Sequence, residues 1–167
     1  MAGKSSAGSN LVRIAQIFQK HAVDFIVIGA QAENLMGHPR ETDDVDFCYR
    51  RSLQNLDNLA EALKEIRPTV PATPEELPVV FDVHALSLAP NYTFETPFGL
   101  IHLLGWVEPI GKHEDLAQNA KVYPAGQLKV KVIGVDDLIR IREYLGRNCD
   151  RQALPGLLAL KKSFPAQ

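Results

Sequence analysis

Apolar positions at Leu11, Ile14, Ala15 and Phe18 fall three or four apart, and Asn10 stands where an N-cap would, so the chain opens with an amphipathic helix. The run Phe25-Ile26-Val27-Ile28 is too short for a helix and reads as a buried strand ending at Gly29. Ala30 to Met36 then reads as a short helix stopped at Gly37, and the segment through Pro39 as a loop, because proline turns its predecessor away from the helical region. Asp43 to Tyr49 alternates polar and apolar side chains, the two-residue period of a second strand. Ser52 can cap a helix that carries Leu56, Leu59, Ala60, Leu63 and Ile66 on one stripe.

Pro68, Pro71, Pro74 and Pro78 make the next stretch a long loop, and Val79 to Val83 has a strand-like composition. Tyr92 to Thr96 and Leu100 to Leu104, joined through Pro97-Phe98-Gly99, have the form of a hairpin. Beyond it the pattern predicts a helix over Glu114 to Lys121, a strand over Leu128 to Ile133 and a helix over Val135 to Leu145 that stops at Gly146. The segment from Asp150 is helical with Pro155 kinking or restarting it. The sum is a mixed α/β (α+β) domain over residues 11–167, a small mixed sheet flanked by helices, behind an unpatterned, disordered tail at 1–10.

Composition narrows the function classes. The formal net charge of −2 lacks the basic surplus of a dedicated nucleic-acid binder. No apolar run approaches the ~20 residues needed to cross a bilayer, so no membrane partner is expected and the protein reads as cytoplasmic. Cys48 and Cys149 are too far apart in sequence for a metal spacing and make no disulfide framework. Cys48 is expected inside, as are Trp106, Leu103 and Leu104. His38, His84 and His113 show no ligand spacing and are expected as surface or core residues. Lys129 and Lys131 alternate with Val130 and Val132, as on a solvated sheet face.

Chemistry concentrates between Gly29 and Asp46. Side chains two apart on a strand point the same way, which puts Asp44 and Asp46 on one face roughly 6.5 Å apart at Cα while Val45 and Phe47 face inward. Parallel carboxylates repel unless a cation lies between them, and hard oxygen ligands suit Mg²⁺, which also shares its shell with phosphate oxygens. Upstream, Gly29 and Ala30 at a strand-to-helix turn allow backbone N–H groups close to a phosphate. Either piece alone is as readily a loop glycine or a solvated acidic edge. Their order and spacing together point to metal-assisted chemistry on a phosphate-bearing substrate.

The same residues carry a resemblance. Val27-Ile28-Gly29-Ala30-Gln31-Ala32 followed by Arg40-Glu41-Thr42-Asp43-Asp44-Val45-Asp46 resembles the signature of the nucleotidyltransferase superfamily. More narrowly it is similar to the small bacterial branch related to the toxin of abortive-infection toxin–antitoxin pairs. Thr96 to Gly105, the run Val132 to Ile139 and the stretch Gly146 to Asp150 resemble later segments of that branch in the same order. The resemblance spans about residues 12 to 160.

It implies transfer of a nucleoside monophosphate from an NTP to an acceptor hydroxyl on RNA, a protein or a small molecule. Mg²⁺ or Mn²⁺ would be the cofactor, and a partner protein is implied by analogy to the toxin pairs. Gly29 and Ala30 would hold the triphosphate, with Arg40, Thr42 and Arg142 completing the nucleotide site. Asp44 and Asp46 would be the catalytic metal ligands. The third family carboxylate is replaced by His102, a poor ligand for Mg²⁺, and Asp82 is the candidate that would substitute as a metal ligand. Arg142 replaces a family lysine, Cys149 stands where a lysine often precedes the acid, and Ala30 carries no hydroxyl. These departures imply weakened activity, and they keep open a non-catalytic nucleotide- or partner-binding module on the same fold.

Overall fold

The computed structural model describes residues 7–71 and 79–164. Helix α1 (Ala7–Lys20) precedes strand β1 (Phe25–Ile28), helix α2 (Gly29–Leu35) and strand β2 (Val45–Tyr49). Helices α3 (Leu53–Ile66) and α4 (Val83–Ser87) lead to the hairpin β3 (Asn91–Thr96) and β4 (Gly99–Leu104). Helix α5 (His113–Ala117), strands β5 (Lys121–Ala125) and β6 (Leu128–Val132), and helices α6 (Val135–Leu145) and α7 (Asn148–Ser163) complete the fold.

The strands form one mixed six-stranded sheet in the order β3-β4-β2-β1-β6-β5. β1 runs antiparallel to β2 and parallel to β6, and β2 runs parallel to β4. The architecture is therefore the helix-flanked mixed α/β sheet expected from the pattern. Its core follows from alternation along β2: Val45, Phe47 and Tyr49 are buried, and Phe47 meets Phe18 of α1 and Phe25 of β1 ring to ring at centroid distances of 5.1 and 5.3 Å. Registering Ile28 with Asp46, and Asp46 with His102, brings the end of β1, the start of β2 and the middle of β4 to one level of the sheet. That level holds the candidate chemistry.

The structure corrects several sequence expectations. The first helix begins at Ala7, so Asn10 lies inside it rather than capping it, and residues 7–10 are helical rather than a tail; residues 1–6 lie outside the described residues. β2 begins at Val45, leaving Asp44 just ahead of the strand. Residues 79–83 form no strand. The Asp82 side chain instead accepts a hydrogen bond from Ala85 N (2.7 Å) as the N-cap of α4. The expected helix over 114–121 is only His113–Ala117, and Lys121 starts a strand that the pattern missed. Pro155 does not restart a separate segment: α7 runs through it from Asn148 to Ser163. Of the long proline-rich loop, residues 72–78 lie outside the described residues.

Candidate active site

A cleft of about 620 Å³ opens over the level shared by Ile28, Asp46 and His102. Both Asp44 and Asp46 line it, together with Gly29, Ala30, Arg40, Thr42 and Arg142. Seven of the eight residues singled out from the sequence thus stand around one opening. The eighth, Asp82, is not among its lining residues, its carboxylate being engaged at the α4 N-cap.

Gly29 makes the close approach possible. It has φ +68°, and a Cβ there would lie 2.2 Å from Asp46 Oδ2, so a side chain at this turn would collide with the carboxylate as well as strain the backbone. Burial pushes the Asp46 carboxyl above the ordinary carboxylate range; nearby His102 opposes that shift and Asp44 adds to it. Asp44 is fixed by Thr42, whose hydroxyl accepts from Asp44 N (3.2 Å) and lies 3.3 Å from Asp44 O. His102, on β4, places Nε2 3.5 Å from Asp44 Oδ2, and its Nδ1 lies 2.9 Å from Thr93 Oγ1 on the adjacent strand. Among the described residues, no three His, Cys, Asp or Glu side chains form a group that could hold a metal ion. The carboxylates that line the cleft are those of Asp44 and Asp46, which neighbour each other, and of Glu41 and Glu108.

The cleft lining is also cationic, and here the structure adds residues that sequence reasoning missed. Glu33 of α2 is fully buried. Its Oε1 accepts from Arg142 Nε (3.0 Å), its Oε2 lies 3.0 Å from His38 Nδ1, and Arg40 Nε is 3.7 Å away. Arg142 Nη1 reaches on to Asp150 Oδ1 (2.8 Å), and Asp150 Oδ2 accepts from Arg147 Nε (2.7 Å) and Arg147 N (3.0 Å). Two buried acids thereby hold three guanidinium groups that line the cleft: Arg40, Arg142 and Arg147. Burial alone would raise Asp150, but the hydrogen bonds from Arg147 and Arg142 outweigh it and bring its carboxyl down to about 2. The signal for this lining was a glutamate one position past the apolar residues of a short helix; its partner Arg142 lies 109 residues away in sequence, beyond any local pattern.

Apolar residues line the cleft as well: Leu104, Trp106 and Val107 at the end of β4 and just past it, and Leu138, Ile141 and Leu145 on α6, the helix that carries Arg142. Trp106, expected in the core, is 48% exposed, and its indole Nε1 donates to Glu108 Oε1 (2.9 Å). Leu103 is buried as expected, whereas Leu104 is only partly so. Cys48 is buried, and burial, with Glu114 and Asp115 adding to it, pushes its thiol up to about 12. His113, expected at the surface or in the core, is buried. No helix among the described residues is long and apolar enough to cross a membrane.

No protein-family model and no curated protein sequence matches the chain. Solved structures do. An antigenic nucleotidyltransferase-like protein from Paracoccidioides brasiliensis superposes with TM-score 0.59 at 18% identity, over 94% of this chain and 77% of its own. The lincosamide antibiotic adenylyltransferase LnuA, in its lincomycin-bound form, gives 0.58 at 14% identity, over 91% of this chain and 96% of its own. TM1012 from Thermotoga maritima, a protein assigned as a nucleotidyltransferase, gives 0.56 at 16% identity, over 89% and 90%. At such identities the likeness speaks to architecture: the chain has the nucleotidyltransferase fold.

Proposed function

We propose that the protein transfers a nucleoside monophosphate from an NTP to an acceptor hydroxyl. The observation that carries this reading is the meeting, in one cleft, of the Asp44–Asp46 pair, the Gly29 turn and the guanidinium groups of Arg40, Arg142 and Arg147. The guanidinium groups would bind and orient the triphosphate oxygens, as planar forks suited to phosphate. Gly29 and Ala30 would let backbone N–H groups approach the same oxygens.

Asp44 and Asp46 would hold a hard divalent cation, Mg²⁺ or Mn²⁺, whose shell phosphate oxygens and water complete. Bound there, the ion would supply Lewis-acid stabilisation of charge on the phosphate oxygens. The donor set fits one such ion rather than two, because the third acid position is His102 and Asp82 is engaged elsewhere. His102 is anchored at Nδ1 by Thr93 and presents Nε2 beside Asp44, where it would take the proton from the acceptor hydroxyl. The acceptor oxygen then bonds to the α-phosphorus while the bond to the bridging oxygen breaks and pyrophosphate leaves. Membership of the abortive-infection-related branch, for which the motif from Arg40 to Asp46 is the support, belongs to the same reading, as do a partner protein and a cytoplasmic site of action.

The test is incubation with each labelled NTP, Mg²⁺ or Mn²⁺, and RNA, protein and small-molecule acceptors. Transfer is expected, and Asp44→Asn or Asp46→Asn should reduce it by more than about a hundredfold, exceeding the usual effect of losing an outer-shell partner. No transfer with any pair of donor and acceptor refutes the reading.

The contact between His102 Nε2 and Asp44 favours a second reading. A protonated imidazole there would act as a resident counter-ion, and the protein would bind nucleotide or a partner without catalysis. It predicts NTP binding with little dependence on Mg²⁺, and a gain of metal affinity in His102→Asp.

A further inference from the structure

A second cavity, of about 400 Å³, shares Trp106 with the catalytic cleft. Arg50 and Arg51, just past the end of β2, line it together with Lys112, His113 and the one lining carboxylate, Glu114, at the start of α5. Its cations are under-compensated. Arg51 donates to Tyr49 Oη (2.9 Å), the Ala89 carbonyl (2.6 Å) and the Ser87 carbonyl (3.2 Å), all of them neutral oxygens. Among the described residues no carboxylate lies within ion-pair distance of Arg51 or Lys112, whereas Arg50 is matched by Glu114 at 3.4 Å. The Arg51 stem is seated against Gly105, where a Cβ would come within 2.5 Å of Arg51 Cδ.

His113 supplies an independent observation. It is only 4% exposed, and neither ring nitrogen has a hydrogen-bond partner. Nε2 lies 3.2 Å from Asp24 Oδ1, but out of line for a hydrogen bond, and the same carboxylate oxygen accepts from Lys131 Nζ (3.2 Å). Burial draws the ring toward its neutral form, which retains one N–H donor. A buried polar group without a hydrogen-bond partner is rare in folded proteins, and both ring nitrogens are closed to solvent, which makes the ring a reporter of charge entering the cavity above it. Trp106 between the two openings is held firmly: its backbone N–H donates to Asn91 Oδ1 (3.2 Å) and its indole to Glu108.

We propose that this cavity is an anion subsite that takes a phosphate group of the acceptor, with Lys112 and Arg51 supplying charge above the buried His113 ring. The word acceptor rests on the transferase reading above; the anion site itself does not. An acceptor held there would cross the Trp106 indole to present its hydroxyl in the neighbouring cleft.

The experiment is an NMR titration of the full chain with inorganic phosphate and, separately, with a uridine tetranucleotide. The His113 ring and Lys112 signals are followed, with MgATP binding read from the Gly29 amide. Phosphate is expected to shift the His113 and Lys112 signals saturably. Lys112→Glu should weaken that binding about tenfold, Lys112→Arg should restore it, and the Gly29 response to MgATP should stay unchanged. Tetranucleotide binding about tenfold tighter than phosphate assigns the group to an RNA acceptor, and equal binding to a small phosphorylated one. Absence of any shift at His113 and Lys112, or equal binding by Lys112→Glu, overturns the subsite. Phosphate binding there in a protein that transfers no nucleotide would remove the transferase reading and leave the subsite standing.

Discussion

Asp46 on β2 and Asp150 on α7 are carboxylates drawn away from solvent beside the same cleft, yet they are displaced in opposite directions. For each, burial is the largest influence and raises the carboxyl. Around Asp150, Arg147 and Arg142 donate hydrogen bonds that reverse the effect and take it down to about 2. Around Asp46, His102 and, more weakly, Arg142 and Arg147 oppose the shift, a second acid, Asp44, adds to it, and the carboxyl stays raised. Withdrawal from water therefore does not set the condition of a carboxylate; the permanence of its counter-charge does. Asp150 has its cations built in. Asp46 faces an open cleft and is left to be matched by something that enters it.

The sharpest test of this contrast is a pair of substitutions read by chemical denaturation. Asp150→Asn strips the charge from a fully buried partner of Arg142 and should cost about 3–5 kcal/mol, the usual consequence of breaking a buried ion pair. Asp46→Asn removes a carboxylate held without such a partner and should leave the stability of the ligand-free protein unchanged or increased. Equal losses from the two would break the comparison.

The pH dependence of stability should separate them next. Asp150 titrates lower in the folded chain than in the unfolded one, so its contribution is complete above about pH 4 and is lost as the pH falls toward about 2. With the carboxyl displaced from 3.8 to about 2, that contribution is roughly 2 kcal/mol, and Asp150→Asn should remove it from the acid limb of the profile. Asp46 has the opposite sign. Its folded value is raised, so stability falls as the pH climbs from 3.8 through that value, and Asp46→Asn should abolish this component. A profile in which both variants lose the same limb would contradict the assignment.

A smaller effect belongs to Gly29. Gly29→Ala should cost about 1–2 kcal/mol from the positive φ alone, and its methyl should also displace the Asp46 carboxylate. Measured by thermal unfolding, a neutral result would mean that the turn relaxes, and that the close approach of glycine to Asp46 is not enforced.

Much of the scaffold was legible because its elements satisfy local rules. The stripe on α3 with Ser52 accepting from Asn55 N, the four-residue apolar strand β1 and the hairpin turned at Gly99 all appear where periodicity places them. Where reading failed, a non-local contact decided the outcome. β5 is an exposed edge strand containing Pro124, with only Ala125 buried; its pairing with β6 defines it, not its own pattern. Asp82 sits in a hydrophobic-acid-hydrophobic triplet that looks like a strand, but its carboxylate finds the Ala85 N–H and starts a helix. Trp106, large and aromatic, reads as core; it lies between two openings because Asn91 and Glu108 hold it there.

By itself the sequence determined the kind of domain, the strand-to-helix turn at Gly29 and the pairing of Asp44 with Asp46, because backbone period and residue spacing are local properties. Only the tertiary structure decided that Glu33 and Asp150 would secure Arg40, Arg142 and Arg147 around the same cleft as those acids. It alone set His102 beside Asp44 and left His113 buried without a hydrogen-bond partner. Those arrangements join residues as many as 109 positions apart, and charges so distant in sequence acquire a shared environment only when the sheet and helices close around them.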